Sequence, residues 1–186
     1  DRWPQTNLRN FAVGRVLKVK MLSGLMESVS STDETLINTP QHQQLTLEAA
    51  QKTIILLKNE NDILPLSTEN PPLIALIGPN ANIAVLDGFG SSTVKPFYKI
   101  SPRQGLKNKI DDNRILYREG CAIRGADTSN FTAAREIAAQ ADVVIFVGGL
   151  DKTMEGEGFL SGGDRKNESV QLPQIQQDLI SECAKV

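Results

Sequence analysis

Two hydrophobic patterns alternate along this chain, and each predicts a different kind of element. Apolar residues three or four positions apart run from Leu8 to Met26, where Gly24 interrupts them, and predict a helix. The same type of pattern predicts three further helices, over 40–52, 132–141 and 174–185. Continuous apolar runs predict buried strands at 53–57, 73–77 and 142–147, the last being the strongest, with 114–118 as a further candidate.

This order of elements predicts an α/β fold. Strands that are apolar on both faces and alternate with helices form a parallel sheet covered on both sides. The first helix stands outside that alternation, because the Ser-, Thr- and Asp-rich stretch Glu27–Thr39 separates it from the rest. We therefore interpret that helix as the end of a preceding domain and the stretch after it as a linker.

Composition and charge narrow the class of protein without assigning a function. The 186 residues are 40% hydrophobic and 23% charged, with a formal net charge of −2, as in an ordinary globular protein. Basic residues form no stripe, so we expect no nucleic-acid partner. No apolar run approaches the ~20 residues of a membrane span, so we expect no membrane partner. Cys121 and Cys183 are expected to be buried free thiols rather than a disulfide.

Three loops follow predicted strands, and in open parallel sheets ligands bind where such loops converge. Gly78–Asn82 lacks the second spaced glycine and the Lys-Ser or Lys-Thr pair of a nucleotide-binding loop, so we interpret it as an ordinary turn. A plain connection is the favoured interpretation of Asp87–Pro102. The third loop, Gly148–Arg165, is the most informative, because it is long and follows the strongest predicted strand.

The loop Gly148–Arg165 holds six glycines and four acidic residues, together with Leu150, Met154, Phe159 and Leu160. A disordered loop would normally lack these apolar residues. Calcium-loop spacing is absent, so a metal site is the least favoured of three interpretations. The other two stay open from the residues alone: a solvated acidic loop, or a loop that positions a carboxylic acid for general acid/base chemistry.

Four parts of the sequence resemble signatures of family-3 glycoside hydrolases, and they occur in that family's order. The first, Arg15–Lys20 with Gly24 and Leu25, resembles the final helix of the family's barrel domain. The others resemble successive parts of its α/β sandwich domain: Thr53–Glu60 with Leu64–Leu66, Ile74–Ala81, and Ala141–Asp151 with Glu155–Phe159 and Asp164–Arg165.

The resemblance implies a (β/α)₈ barrel followed by a six-stranded α/β sandwich, of which this chain carries a part. Residues 1–26 would end the barrel, 27–43 would form a linker, and 44–186 would form a sandwich domain with a parallel sheet, truncated at its C-terminus. The sandwich is expected to pack against its own N-terminal barrel domain. The protein is expected to be secreted or periplasmic.

The resemblance also implies a retaining, exo-acting β-glycosidase that removes terminal β-D-glucosyl or β-D-xylosyl residues from an oligosaccharide or other β-glycoside, with no cofactor and no metal. Glu157 falls where the family places its general acid/base, and Glu155 is the alternative. Asp151 and Phe159 are expected to bind substrate. The nucleophile, an Asp of the barrel, is expected upstream of residue 1, so the chain alone is expected to be inactive.

Some features leave alternatives open. Relative to most members, Leu160–Gly163 is an insertion before Asp164 and Arg165. One branch of the family uses a His-Asp dyad on the barrel, but His42, the sole histidine, lies in the linker region and is expected at the surface.

A non-catalytic carbohydrate-binding or structural relative would keep the α/β core. A flavodoxin-like nucleotide-binding domain would share the alternation, but it predicts phosphate binding at Gly78.

Overall fold

The computed structural model describes residues 6–27, 33–86, 93–151, 154 and 170–186. The chain divides into two compact units, Asp1–Leu56 and Leu57–Val186.

The first unit contains the two helices predicted near the N-terminus. α1 spans Thr6–Leu22 and is followed by Gly24, whose φ of 74° lies in the left-handed region that favours glycine. α2 spans Pro40–Thr53, and the Thr39 hydroxyl oxygen caps it by accepting a hydrogen bond from the backbone N–H of His42 at 3.3 Å. The His42 side chain is exposed, as expected of a surface residue.

The second unit is built on a parallel sheet with the order β2-β1-β3 among the residues that the structure describes. The strands are β1 (Ile74–Ile77), β2 (Ile115–Arg118) and β3 (Val143–Phe146). Ile74 lies opposite both Ile115 and Val143, so the three strands start level and their carboxyl ends meet at one edge. Three helices accompany the sheet: α3 (Pro102–Lys107), α4 (Phe131–Gln140) and α5 (Gln174–Cys183).

Both faces of this sheet are packed against other elements. Ala75 and Ile77 of β1 lie in a core with buried residues of α4 and α5. Ile74 and Leu76 lie in a second core, against which Leu106 of α3 packs. Successive residues of β1 therefore point to two separate cores, which explains why the whole strand is apolar. The predicted α/β fold with a parallel sheet is confirmed.

One predicted strand does not form. α2 continues to Thr53, and residues 54–59 follow it as irregular chain, with Leu57 92% exposed. A strand needs a neighbour that receives its backbone hydrogen bonds, and the described strands pair only with one another. The prediction of a buried strand at 53–57 is therefore wrong, because this run forms the end of α2 and exposed irregular chain.

The ranking of the strands by burial was also wrong. β1, not the strand predicted over 142–147, is the most buried, because β1 lies at the centre of the described sheet and β3 at its edge. Val144 of β3 is 41% exposed. The short helix α3 was not predicted; the Ser101 hydroxyl oxygen caps it by accepting a hydrogen bond from the backbone N–H of Gln104 at 3.2 Å.

Gly78 allows the carboxyl ends of β1 and β3 to approach closely. A Cβ atom at Gly78 would lie 2.3 Å from the carbonyl oxygen of Val147, and the φ of Gly78 is 120°. The Gly78 N–H donates to the carbonyl oxygen of Glu119 at 3.1 Å, and the Asn80 N–H donates to that of Val147 at 3.1 Å. These N–H groups hold the strand ends together instead of binding phosphate, which favours the predicted turn.

The two cysteines are free and buried, as predicted. Burial raises the pKa of the Cys121 thiol to about 11, with smaller contributions from the negative charge of Glu119 and from Cys183. Burial raises the pKa of Cys183 as well.

The close approach at Gly78 predicts a steric penalty on adding one methyl group. Gly78→Ala is expected to lower the free energy of unfolding by about 3 kcal/mol or more, because backbone strain and a clash with Val147 combine. Gly125→Ala is the matched control, since Gly125 has a similar φ of 122° and nothing within 4 Å of an added Cβ. Urea unfolding followed by far-UV circular dichroism measures both. Equal losses would show that the close approach imposes no constraint of its own.

The raised pKa of Cys121 predicts a pH dependence of stability. The folded state favours the neutral thiol, so this contribution is complete below the unfolded pKa of about 9 and is lost as pH rises toward about 11. Urea unfolding of the protein and of a Cys121→Ala variant at about pH 8 and about pH 10 measures it. The original protein is expected to lose more stability than the variant over that interval, and parallel losses would contradict this.

Candidate functional site

The predicted acid/base residues lie outside the part of the chain that the structure describes. Glu155, Glu157 and Phe159 fall within residues 155–169, so their roles stay predictions. The structure does describe the first residues of the predicted loop, Gly148–Asp151, which leave the carboxyl end of β3. The candidate site is therefore described from the base of its loop.

Gln176 of α5 holds this base. The side chain is fully buried, and its Oε1 accepts a hydrogen bond from the Gly149 N–H at 2.9 Å. Its Nε2 donates to the carbonyl oxygen of Gly149 at 2.8 Å and to that of Ile123 at 2.8 Å. Partners for the donors and for the acceptor offset the cost of burying a polar amide. Gln176 thus connects the end of β3 to α5 and to the turn at Ile123.

Two adjacent glycines make this contact possible. A Cβ atom at Gly148 would lie 2.6 Å from Oε1 of Gln176 and 2.5 Å from Cε1 of Phe146. Gly149 has a φ of 149°, which residues with a side chain rarely adopt, and a Cβ there would lie 3.0 Å from Nδ2 of Asn80. The glycines at the start of the loop therefore let two side-chain amides reach the backbone.

Asn80, in the turn after β1, holds the next residue of the loop. It is 8% exposed, and its Nδ2 donates a hydrogen bond to the carbonyl oxygen of Leu150 at 3.3 Å. Its Oδ1 is buried and accepts no hydrogen bond from the described residues. Because the backbone N–H of Asn80 also bonds Val147, this residue links the carboxyl ends of the two strands.

A cavity of about 310 Å³ opens beside Asn80 within the second unit. Apolar side chains line most of it, while Asn80, Lys99 and Asp151 supply polar groups. A largely apolar wall with a few polar groups, at the carboxyl ends of parallel strands, is the usual composition of a small-molecule site. Of the four predicted site residues, Asp151 is the one in the described part of the chain, and it lines this cavity.

Metal and membrane sites are not found among the described residues. No group of three or more His, Cys, Asp or Glu side chains there is suited to hold a metal ion. No helix in the same part of the chain is long and apolar enough to cross a membrane. The expected absence of a metal, a cofactor, a nucleic-acid partner and a membrane partner stays a prediction.

The role of Gln176 was not predicted, although the sequence contains a signal for it. Ile175, Leu179 and Cys183 mark the buried side of α5, and Gln176 lies one turn before Leu179 on that side. A glutamine at an inward position of an amphipathic helix needs partners for its amide. The sequence does not reveal which backbone groups those partners are, because Ile123 and Gly149 are distant along the chain.

Comparison with known proteins gives a family match over most of the chain. A sequence model of the glycosyl hydrolase family 3 C-terminal domain matches residues 54–186. The chain is 32% identical over 186 residues to a beta-xylosidase from Formosa agariphila, covering 94% of this chain and 24% of that protein. It is 33% identical over 181 residues to beta-D-xylosidase 1 from Arabidopsis thaliana, covering 95% of this chain and 22% of that protein. The chain thus spans about a quarter of the length of these curated relatives.

Two solved structures resemble the described fold. A family-3 exo-beta-xylosidase in complex with a xylobiose aziridine probe has a TM-score of 0.62 and 35% identity, over 78% of this chain and 17% of that one. A beta-glucosidase from Listeria innocua in complex with isofagomine has a TM-score of 0.78 and 23% identity, over 95% of this chain and 24% of that one. At 23% identity the second likeness concerns the fold alone.

The buried amide of Asn80 predicts a pH-dependent cost for Asn80→Asp. The variant replaces the donor to Leu150 with a carboxylate oxygen that faces a carbonyl, so stability is expected to fall by about 1–3 kcal/mol at neutral pH. Burial raises the pKa of the introduced carboxyl above its unfolded value, so the loss shrinks as pH falls through the raised pKa. Urea unfolding at neutral and mildly acidic pH measures this. Asn82→Asp, at an exposed position, is the control, and an equal loss there would contradict the account.

Proposed function

This chain belongs to glycosyl hydrolase family 3, and we propose that the protein containing it hydrolyses the O-glycosyl bond of terminal, non-reducing β-D-xylosyl or β-D-glucosyl residues. The named activity of the relatives from Formosa agariphila and Arabidopsis thaliana, both beta-xylosidases, favours a xylosyl residue. The substrate is an oligosaccharide or another β-glycoside. The protein acts in a secreted or periplasmic setting.

In this proposal the chain supplies one of two catalytic carboxyl groups. A retaining glycosidase places a nucleophile and an acid/base about 5–5.5 Å apart across the glycosidic bond. Glu157 is the acid/base: it first donates a proton to the leaving oxygen, and it then removes a proton from the water that hydrolyses the glycosyl-enzyme. The nucleophile is an Asp of a barrel upstream of residue 1. Glu155 is the alternative to Glu157.

We propose the domain organisation that the resemblance to family 3 implies. Residues 1–26 end the barrel, residues 27–43 form the linker, and residues 44–186 belong to the α/β sandwich domain that carries the loop. The sandwich packs against its own barrel, so that the loop and the barrel together complete the active site.

The observation that carries this proposal is that two buried side-chain amides hold the first residues of the loop Gly148–Arg165 by hydrogen bonds. General acid catalysis requires the carboxyl group to come within about 2.6–3.2 Å of the oxygen it protonates. A loop that must deliver a side chain so closely needs a defined starting direction. Hydrogen bonds to Gly149 and Leu150 from two buried amides supply that direction at the carboxyl edge of the sheet.

Asp151 and Phe159 are the proposed substrate-binding residues. Asp151 lines the cavity beside Asn80, where its oxygens are suited to hydroxyl groups of a sugar. Phe159 lies two residues beyond Glu157 in the sequence, and its ring would form an apolar wall for the sugar.

Substitution of Glu157 in the full-length protein tests the proposed role. Glu157→Ala is expected to lower kcat/KM by about 10²–10⁴-fold on xylobiose, whose leaving group needs a proton. On a dinitrophenyl xyloside, which needs no such proton, kcat/KM should change little, whereas kcat should fall because water is no longer activated. Added azide should restore kcat on that substrate, because azide attacks the glycosyl-enzyme without a general base.

Glu155→Ala is the matched control for this experiment. It is expected to keep the ratio of the two kcat/KM values and to show no response to azide. A reversal of the two variants would assign the acid/base to Glu155. The absence of both effects in both variants would contradict a catalytic role for this loop.

A further inference from the structure

We propose that Gln176 is a positioning residue for acid/base catalysis, which it serves by fixing through Gly149 the direction in which the loop leaves β3. This inference rests on the function proposed above, and it adds a residue that neither touches substrate nor lies in the loop. Gln176 and Gly149 lie in the described part of the chain, and Glu157 lies outside it.

The hydrogen bonds of Gln176 replace those of a neighbouring strand. The last sheet bond of this segment runs from the Val147 N–H to the carbonyl oxygen of Ile77 at 2.8 Å. Beyond it, β1 turns away at Gly78, so its backbone no longer accompanies the chain that continues from β3. The Gln176 amide then accepts from the N–H of Gly149 and donates to its carbonyl oxygen, as a strand residue would.

Breaking the hydrogen bonds between Gln176 and Gly149 would be costly. The Gln176 side chain is fully buried, so losing its partners would leave a donor or acceptor unsatisfied, at a cost of about 1–3 kcal/mol. The second N–H of the amide is taken by the carbonyl oxygen of Ile123, which sets the plane of the amide. α5 is anchored in the core by Ile175, Leu179 and Cys183, so the support behind Gln176 is rigid.

The direction set at Gly149 matters because Glu157 follows only eight residues later. A rotation of the backbone at Gly149 changes the direction in which the chain continues toward Glu157. Because a displacement of about 1 Å at a reacting group can cost about 10²-fold in rate, Gln176 affects proton transfer without contacting the substrate. In the proposed function the nucleophile belongs to the barrel, so a displaced loop should cost more on a substrate that needs proton transfer than on an activated glycoside, where it weakens only the loop's contacts with the sugar.

The test compares Gln176→Leu with a neighbouring variant in the full-length protein. Gln176→Leu is expected to lower kcat/KM on xylobiose by about 10–100-fold and to lower kcat/KM on a dinitrophenyl xyloside by a smaller factor. A loss of folded protein would lower both values by the same factor, so the ratio reports positioning alone. Gln177→Leu is the matched control, since Gln177 makes its hydrogen bond to Leu172 and should keep the original ratio.

A second variant keeps the inference testable if Gln176→Leu does not fold. Gln176→Glu retains an acceptor for the Gly149 N–H but faces two carbonyl oxygens without a donor. Protonation at low pH restores one donor, so the ratio of the two kcat/KM values should recover toward that of the original protein as pH falls. A ratio equal to that of the original protein at every pH would overturn the inference.

Glu157→Ala, measured beside these variants, separates the two claims. If Glu157→Ala loses activity selectively on xylobiose while Gln176→Leu loses it equally on both substrates, the inference about Gln176 is wrong and the proposed function stands. If Glu157→Ala shows no selectivity either, the proposed function fails and the positioning role fails with it.

Discussion

The side-chain amide of Gln176 makes three hydrogen bonds inside the second unit, and all of them go to backbone groups. Two join it to the N–H and the carbonyl oxygen of Gly149, and the third joins it to the carbonyl oxygen of Ile123. Because the side chain is fully buried, no water competes for these bonds, and breaking one would leave a polar group without a partner. The chain beyond β3 therefore starts from a defined backbone conformation, and the proposed position of Glu157 depends on it.

The close approach of β1 and β3 at Gly78 determines where the chain beyond β3 begins. β1 lies between β2 and β3, and the close approach of Gly78 to the Val147 carbonyl brings the ends of β1 and β3 together. Asn80 then reaches Leu150, and Gln176 reaches Gly149. A Cβ atom would collide with neighbouring atoms at Gly78 and Gly148, and the φ of 149° at Gly149 is one that residues with a side chain rarely adopt. The glycines at 78, 148 and 149 thus serve backbone proximity in the described part of the chain, rather than the binding of a phosphate.

Much of the fold was predictable, because the apolar runs that become β1, β2 and β3 and the helical spacing of α1, α2, α4 and α5 are local signals. The run at 53–57 misled, since hydrophobicity alone does not specify a pairing partner for a strand. Burial rank failed for a related reason: the order of strands in a sheet depends on topology. Asp151 lies in the segment after β3, as the sequence indicated, and its role in substrate binding stays a prediction. Gln176 was missed because its partners, Ile123 and Gly149, are remote in sequence.

A crystal structure of the full-length protein, trapped as a covalent glycosyl-enzyme with a 2-deoxy-2-fluoro xyloside, tests most directly whether Glu157 is the acid/base and whether Gln176 holds the start of its loop. In that structure we expect the carboxyl group of Glu157 to lie about 5–5.5 Å from that of the labelled nucleophile, and the Gly149 backbone to remain bound to Gln176. Glu155 at that position, or a Glu157 carboxyl group far outside that separation, would contradict this expectation.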